Sequence, residues 1–252
     1  MGSGFGYAYR HTCRMDDEIM ARYVPLQNTK GSGFKVFFFE FRTKFMVEEE
    51  QGKRTVVGSE RFHERCVKDE GACIVARRRL WEDYWMVLDE TGSLCCDAFD
   101  YARKSEIENP DRDVIPVVVE IEVCTVQQAG EPISATFERA IQPDRLRPVY
   151  LNTLGVRPPY PVSPMLESHL RLLPRIRVES VEQGRALMDA CQICSRKPTI
   201  GDVITHLRCQ HAFHSHCAVK WLVHSNLCPS CHSQEHSFVK PKIKAPVPVP
   251  PA

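Results

Sequence analysis

Charge of one sign is what this 252-residue sequence has least of: 33 basic residues stand against 32 acidic ones, a net charge of +1. Bulk attraction to nucleic acid is therefore not expected. Long hydrophobic runs are also missing. Val36–Phe39 and Val117–Val119 fall far short of the roughly 20 residues that cross a bilayer, so no membrane span is expected. The first residues contain no basic stretch followed by an apolar one, which argues against a secretory signal. Met1-Gly2 opens like a myristoylation site, but Gly6 stands where Ser or Thr is wanted. A phosphate-cradling glycine loop, a Gly-x-Ser-x-Gly elbow and a His-Glu-x-x-His pair are all lacking, and with them the enzyme classes they serve. The expectation is a protein of the cytoplasm, the nucleus or both. In that reducing setting clustered cysteines are metal ligands before they are disulfides.

Composition is otherwise globular, with 43% hydrophobic and 26% charged residues. Residues 1–32, which include Gly2, Gly4 and Gly6, show little periodicity and are expected to be loosely ordered. From Phe34 an alternation sets in. Phe37, Phe39, Phe41, Phe45 and Val47 fall on one side, and Glu40, Arg42, Lys44 and Glu48 on the other, as on a half-buried strand. Gln51-Gly52 supplies turn chemistry, with Arg54–Val57 as the returning partner. Val117, Val119, Ile121 and Val123 opposite Glu120 and Glu122 mark a second strand. Leu80, Trp81, Tyr84, Trp85 and Leu88 recur at helical spacing and read as core, with Thr91-Gly92 as a stop. Arg77-Arg78-Arg79 reads as a solvated edge, and Cys95-Cys96 as free thiols. An α+β, β-rich domain over 33–150, binding a substrate or partner, is the expectation.

Residues 151–179 read as a proline-rich connection, because Val156–Pro164 can be neither regular helix nor central strand. Ser180 and Gln183 form a capping box, which predicts a short helix over 181–189. It leads into a small zinc domain over 180–238. Residues 239–252, rich in Lys, Pro and Val, cannot bury a core and are expected to be disordered.

Between Cys191 and Cys231 lie eight metal ligands in 41 residues: Cys191-x2-Cys194, fourteen residues, Cys209-x-His211-x2-His214-x2-Cys217, ten residues, Cys228-x2-Cys231. Tetrahedral zinc takes four sulfur or imidazole ligands, so two complete sets are present. So short a segment needs the metal to fold, since it is near the size at which a hydrophobic core alone stops sufficing. His214 and Cys217, three residues apart, can meet one ion from a helix start. His216 would point about 100° away and His206 precedes the cluster, so both are read as surface histidines.

This run, with Leu207, Phe213, Trp221-Leu222 and Pro229 between its ligands, resembles the RING finger family in its two-histidine variety. The resemblance covers about a sixth of the chain, roughly 190–232. It implies that the ligands interleave: Cys191, Cys194, His214 and Cys217 would hold one Zn2+, and Cys209, His211, Cys228 and Cys231 the other. Both ions would be structural, with no open coordination position. The resemblance further implies a ubiquitin ligase, which holds a ubiquitin-charged conjugating enzyme near a lysine of a protein substrate. That partner would dock on Ile193, Trp221 and Pro229, and Leu207 and Phe213 would be core. His232 stands where many active members carry an arginine, and a histidine lacks arginine's permanent charge. The rival expectation is therefore a non-catalytic, zinc-stabilised scaffold, or the silent partner of a RING pair. The ligand order is not that of a DNA-reading finger, so no nucleic-acid partner is expected.

Overall fold

A computed structural model describes residues 6–22, 35–67, 73–149 and 162–235. In chain order, β1 (Tyr7–Met15) and a short α1 (Glu18–Arg22) precede β2 (Val36–Glu48) and β3 (Arg54–Val67). Next come α2 (Ile74–Arg78), continued by a π-helical turn over Arg79–Asp83, then α3 (Leu88–Glu108), β4 (Val114–Val126) and α4 (Ile133–Arg139). The C-terminal elements are α5 (Pro164–Leu172), β5 (Ile176–Arg177), α6 (Val181–Leu187), β6 (Val203–His206), β7 (Ala212–His214) and α7 (Ser215–Leu222).

The first four strands form one mixed sheet in the order β1-β4-β2-β3. The β2–β3 hairpin turns at Gln51-Gly52, where Gly52 has a φ of +78°. The chain then crosses over through α2 and α3, so that β4 pairs with β2 in parallel. Central position explains the near-continuous Val/Ile/Phe composition of β2 and β4, which are covered on both faces for most of their length. One face carries the main core. Phe37, Phe39, Phe41, Phe45, Val117, Val119, Ile121 and Val123 pack under Leu94, Cys95, Ala98, Phe99 and Ala102 of α3. Pro116 sits in a central strand, where a missing N–H ordinarily breaks a ladder. Its carbonyl accepts from Asp16 N at 3.2 Å, so its nitrogen faces the same side, just past the last β1–β4 pair, Met15 with Val117. The reciprocal bond to Asp16 is therefore the one missing, and the β1–β4 pairing ends there.

Several expectations change. Residues 7–15 are an ordered edge strand, because pairing with β4 supplies the hydrogen bonds that their own sequence pattern does not advertise. Gly2 and Gly4 lie outside the described residues. Glu40, placed by alternation on the solvent side, is fully buried, with Arg42, Arg22 and Arg61 gathered around it. The helix over Leu80–Leu88 is in fact broken. It ends at Asp83, Trp85 takes a φ of +65°, and a new helix begins at Leu88 and runs through Thr91-Gly92. One glycine in a helix costs about 1 kcal/mol, which the buried α3 face outweighs. Leu80, Tyr84 and Trp85 are core, whereas Trp81 and Leu88 are exposed. Arg79 is fully buried and not a solvated edge. It bonds Glu60, Asp83 (2.9 Å) and the Arg147 carbonyl (2.7 Å), so its charge is compensated on every side.

In the stretch read as a proline-rich connection, residues 150–161 are not among the described ones. After them α5 starts at a Ser163 cap and β5 pairs with β6. Leu170, Leu173 and Val178 belong to the same hydrophobic core as Phe213 and Leu222. The C-terminal unit thus begins at α5, before residue 180, and α6 ends at Leu187. The tail expected over 239–252 lies outside the described residues.

The two units meet around Trp85. Its ring lies against Tyr7 (centroids 5.0 Å apart) and under the Arg177 guanidinium, 3.2 Å from the ring centre. A Cβ added to Gly201, at φ +101°, would fall 2.2 Å from the same ring. Arg175 bonds Glu82 and Asp83 (2.6 Å), Arg147 donates to the Leu170 carbonyl, and Lys220 donates to the Asp144 carbonyl at 2.8 Å.

Candidate metal centre

The ligand run folds as a β-hairpin and a helix between two paired turns. Cys191 and Cys194 bracket one tight turn, in which Ser195 N donates to the Cys191 carbonyl at 2.7 Å and Ser195 takes a φ of +60°. Cys228 and Cys231 bracket the other, closed by His232 N to the Cys228 carbonyl at 3.0 Å, with His232 at φ +57°. Each turn aims two sulfurs at one point. Cys209 and His211 flank the turn that leads from β6 to β7. His214 ends β7, and Cys217 follows on the first turn of α7.

The result is two groups of four. The ligand atoms of Cys191, Cys194, His214 and Cys217 all lie within 4.8 Å of one another, as do those of Cys209, His211, Cys228 and Cys231. Pairs one and three of the run meet in one group, and pairs two and four in the other. Six sulfurs and two imidazoles are a donor set suited to zinc and poorly suited to magnesium or calcium. Four ligands per group leave no open position for a reacting molecule, so the centres fit a structural role.

The protein orients these ligands beyond the groups themselves. His214 Nδ1 lies 3.3 Å from the Cys194 sulfur, while Nε2 lies 3.3 Å from a carboxylate oxygen of Asp202. Asp202 is itself held by the backbone N and hydroxyl of Thr199 at 2.8 and 2.9 Å. A carboxylate on the far nitrogen fixes the ring tautomer and raises its basicity. Burial would raise the Asp202 carboxyl, yet the adjacent His214 ring holds it down at about 2. Cys191 is drawn down to about 3, first by a hydrogen bond from Cys217, whose own thiol is pushed up in return.

His216 is not a surface histidine. It is buried, stacked on His214 with centroids 5.5 Å apart, and belongs to neither ligand group. Burial, then the neighbouring His214, pushes it down to about 4, so it is a neutral core side chain. His206 is half-buried at the end of β6. Leu207 and Phe213 are core. Ile193 and Pro229 are half-buried, and Trp221 is 39% exposed, its indole N–H donating to the Leu227 carbonyl at 2.8 Å. Leu227 is exposed beside it. Sequence reasoning missed both Asp202 and Leu227. Neither has a sequence signal, since one acts through its carboxylate on a ring twelve residues away and the other through a backbone carbonyl.

Residues 189–232 match the Ring finger domain family. This segment is a RING finger of the two-histidine kind. Among curated proteins, the chain is 32% identical over 62 residues to "E3 ubiquitin-protein ligase RNF126" of Xenopus tropicalis, which covers 25% of this chain and 19% of that one. It is 32% identical over 77 residues to "E3 ubiquitin-protein ligase RNF181" of the same species, covering 31% and 46%. It is 41% identical over 46 residues to "E3 ubiquitin-protein ligase BIG BROTHER" of Arabidopsis thaliana, covering 18% of each. The match therefore spans less than half the length of these relatives. Among solved structures, the crystal structure of the RING-H2 domain of Arabidopsis RMR1 is 28% identical over 27% of this chain and 89% of that one, with a TM-score of 0.25. Among the described residues no helix is long and apolar enough to cross a membrane.

Proposed function

We propose that this chain is a RING-type ubiquitin-protein ligase. Its RING finger would hold a ubiquitin-charged conjugating enzyme, and the sheet domain ahead of it would recruit a protein substrate. The observation that carries this reading is the interleaved pair of four-ligand groups inside a RING finger whose relatives are named ubiquitin-protein ligases. Zinc, bound by the eight residues, would supply rigidity. The rate would come from proximity and orientation of the thioester and the acceptor lysine, with no covalent ubiquitin intermediate on this protein.

Ile193, Trp221 and Pro229 would form the docking face. Each keeps part of its apolar surface exposed, in a domain too small to bury such a trio completely, and the Trp221 ring is pinned by its bond to Leu227. A fixed aromatic face loses little entropy on binding, which is why such residues anchor interfaces.

The alternative is a non-catalytic scaffold or the silent half of a RING pair. His232 favours it, exposed immediately after the last ligand where a permanent cation would clasp both ubiquitin and its carrier. The test is chain formation by the full-length protein with zinc, activating enzyme, ATP and a panel of conjugating enzymes. Activity that disappears in Trp221→Ala, with zinc content unchanged, supports the ligase. Silence across the panel that ends only when a second RING protein is added supports the alternative.

A further inference from the structure

Six cysteines lie outside the ligand run, and their sequence spacing pairs none of them. The fold brings three together in the core of the N-terminal domain. Cys66 ends the inward row of β3, Cys73 immediately precedes α2, and Cys95 lies on the inner face of α3; all three are buried. The Cys66 and Cys73 sulfurs are 3.8 Å apart. Cys73 and Cys95 line the same cavity beside α3. Glu64, two residues before Cys66 and so on the same face of β3, adds a buried carboxylate. The ligand atoms of Glu64, Cys66 and Cys73 all lie within 4.8 Å of one another, the closeness found in each RING group.

The spacing has a chemical meaning. Two thiolates on a tetrahedral zinc with bonds of about 2.3 Å hold their sulfurs about 3.8 Å apart. A disulfide would hold them at about 2.05 Å. The Glu64 oxygens accept from Val75 N and Ala76 N at 2.9 and 3.0 Å, at the start of α2. No cationic side chain among the described residues forms an ion pair with Glu64. The thiols bury readily as neutral groups, but a thiophilic cation would take the place of their protons and share the Glu64 carboxylate, whose other contacts are backbone N–H groups at the start of α2.

We propose that Glu64, Cys66 and Cys73 form a third zinc site of this protein, distinct from the two RING centres, which Cys95, outside the close group but on the same cavity as Cys73, completes by a change of rotamer. Thiolate-rich donors select a thiophilic ion such as zinc over magnesium or calcium. With Glu64, Cys66 and Cys73 all buried in the core and out of reach of a reacting molecule, the ion is structural. It staples the end of β3 to the start of α2 and to α3, closing the crossover that makes β4 parallel to β2. The RING reading is not needed for it.

The test counts zinc per chain in full-length protein purified without chelator. Cys66→Ser/Cys73→Ser is expected to hold one zinc fewer than the wild type, while Cys209→Ser/Cys228→Ser loses zinc from the RING alone and keeps the third ion. A folded Cys66→Ser/Cys73→Ser protein with undiminished zinc overturns the proposal. Cobalt decides the matter if that variant does not fold. Thiolate-to-cobalt absorbance in metal-stripped wild type is expected to saturate at three equivalents, and saturation at two overturns the site. A wild-type intact mass lighter by the two hydrogens of a Cys66–Cys73 disulfide also overturns it.

Discussion

The two units of this molecule solve the same stability problem by opposite means. The N-terminal unit buries Phe37, Phe39, Phe41 and Phe45 under α3, and it forms a core from residues spread between Tyr7 and Ile141. The RING finger has one short hydrophobic cluster, into which Cys191, Cys217 and Cys228 are themselves built. In the first unit apolar area carries the fold, at roughly 25 cal/mol per Å². In the second, zinc held by the two ligand groups would take its place, at on the order of 10 kcal/mol per site. A long chain can distribute its stability over many contacts; a 41-residue ligand run has to concentrate it.

The largest effect expected from breaking this contrast is at a RING ligand. Cys191→Ala should release one zinc and unfold residues 189–232. Amide exchange is expected to rise throughout the RING while protection in β2 and β4 persists; equal loss in both units would mean that they fold as one. Phe41→Ala is the converse, expected to cost about 3–5 kcal/mol as a cavity in the sheet core. Denaturant unfolding read by near-UV circular dichroism should show the loss, with the RING zinc retained at low denaturant.

Gly201→Ala probes the joint. The new methyl would meet the Trp85 ring at a backbone φ of +101°, a double penalty of about 1–3 kcal/mol. Faster exchange around residues 83–87 and 199–203, with zinc content unchanged, is the expected reading. The smallest effect is at Glu131→Gln. The Arg139 hydrogen bond is the largest influence on the Glu131 carboxyl and outweighs partial burial, holding it down at about 2. Its folded value therefore lies below its unfolded one, and its contribution is present above about pH 4.3 and lost as pH falls toward 2. Between pH 5 and 7 the variant should be less stable by about 1 kcal/mol, and that gap should shrink on acidification.

The RING finger was legible in the sequence because its constraints are local. Cys-x2-Cys can grip one ion within one turn, so spacing alone singles out the eight residues that cluster, although their assortment into two groups came through family resemblance. The exposed Trp221 and the core positions Leu207 and Phe213 followed from the same run. In the N-terminal unit the alternations of β2 and β4 were equally legible, since a strand's period is written into its side chains. Their parallel pairing was not, because it depends on a crossover through α2 and α3, and Thr91-Gly92 disguised the start of that helix.

By itself, the sequence picked out the eight Cys and His residues that gather in two groups of four, the two strongest strands and the turn between β2 and β3, all matters settled within a few neighbouring residues. The tertiary structure alone decided that residues 7–15 are a sheet edge, that Arg79 and His216 are buried, that Asp202 stands behind His214, and that Glu64, Cys66 and Cys73 converge. The reason is common to all of these. Each depends on partners tens of residues away, and a side chain's surroundings, unlike its period, are set by the chain that folds back upon it.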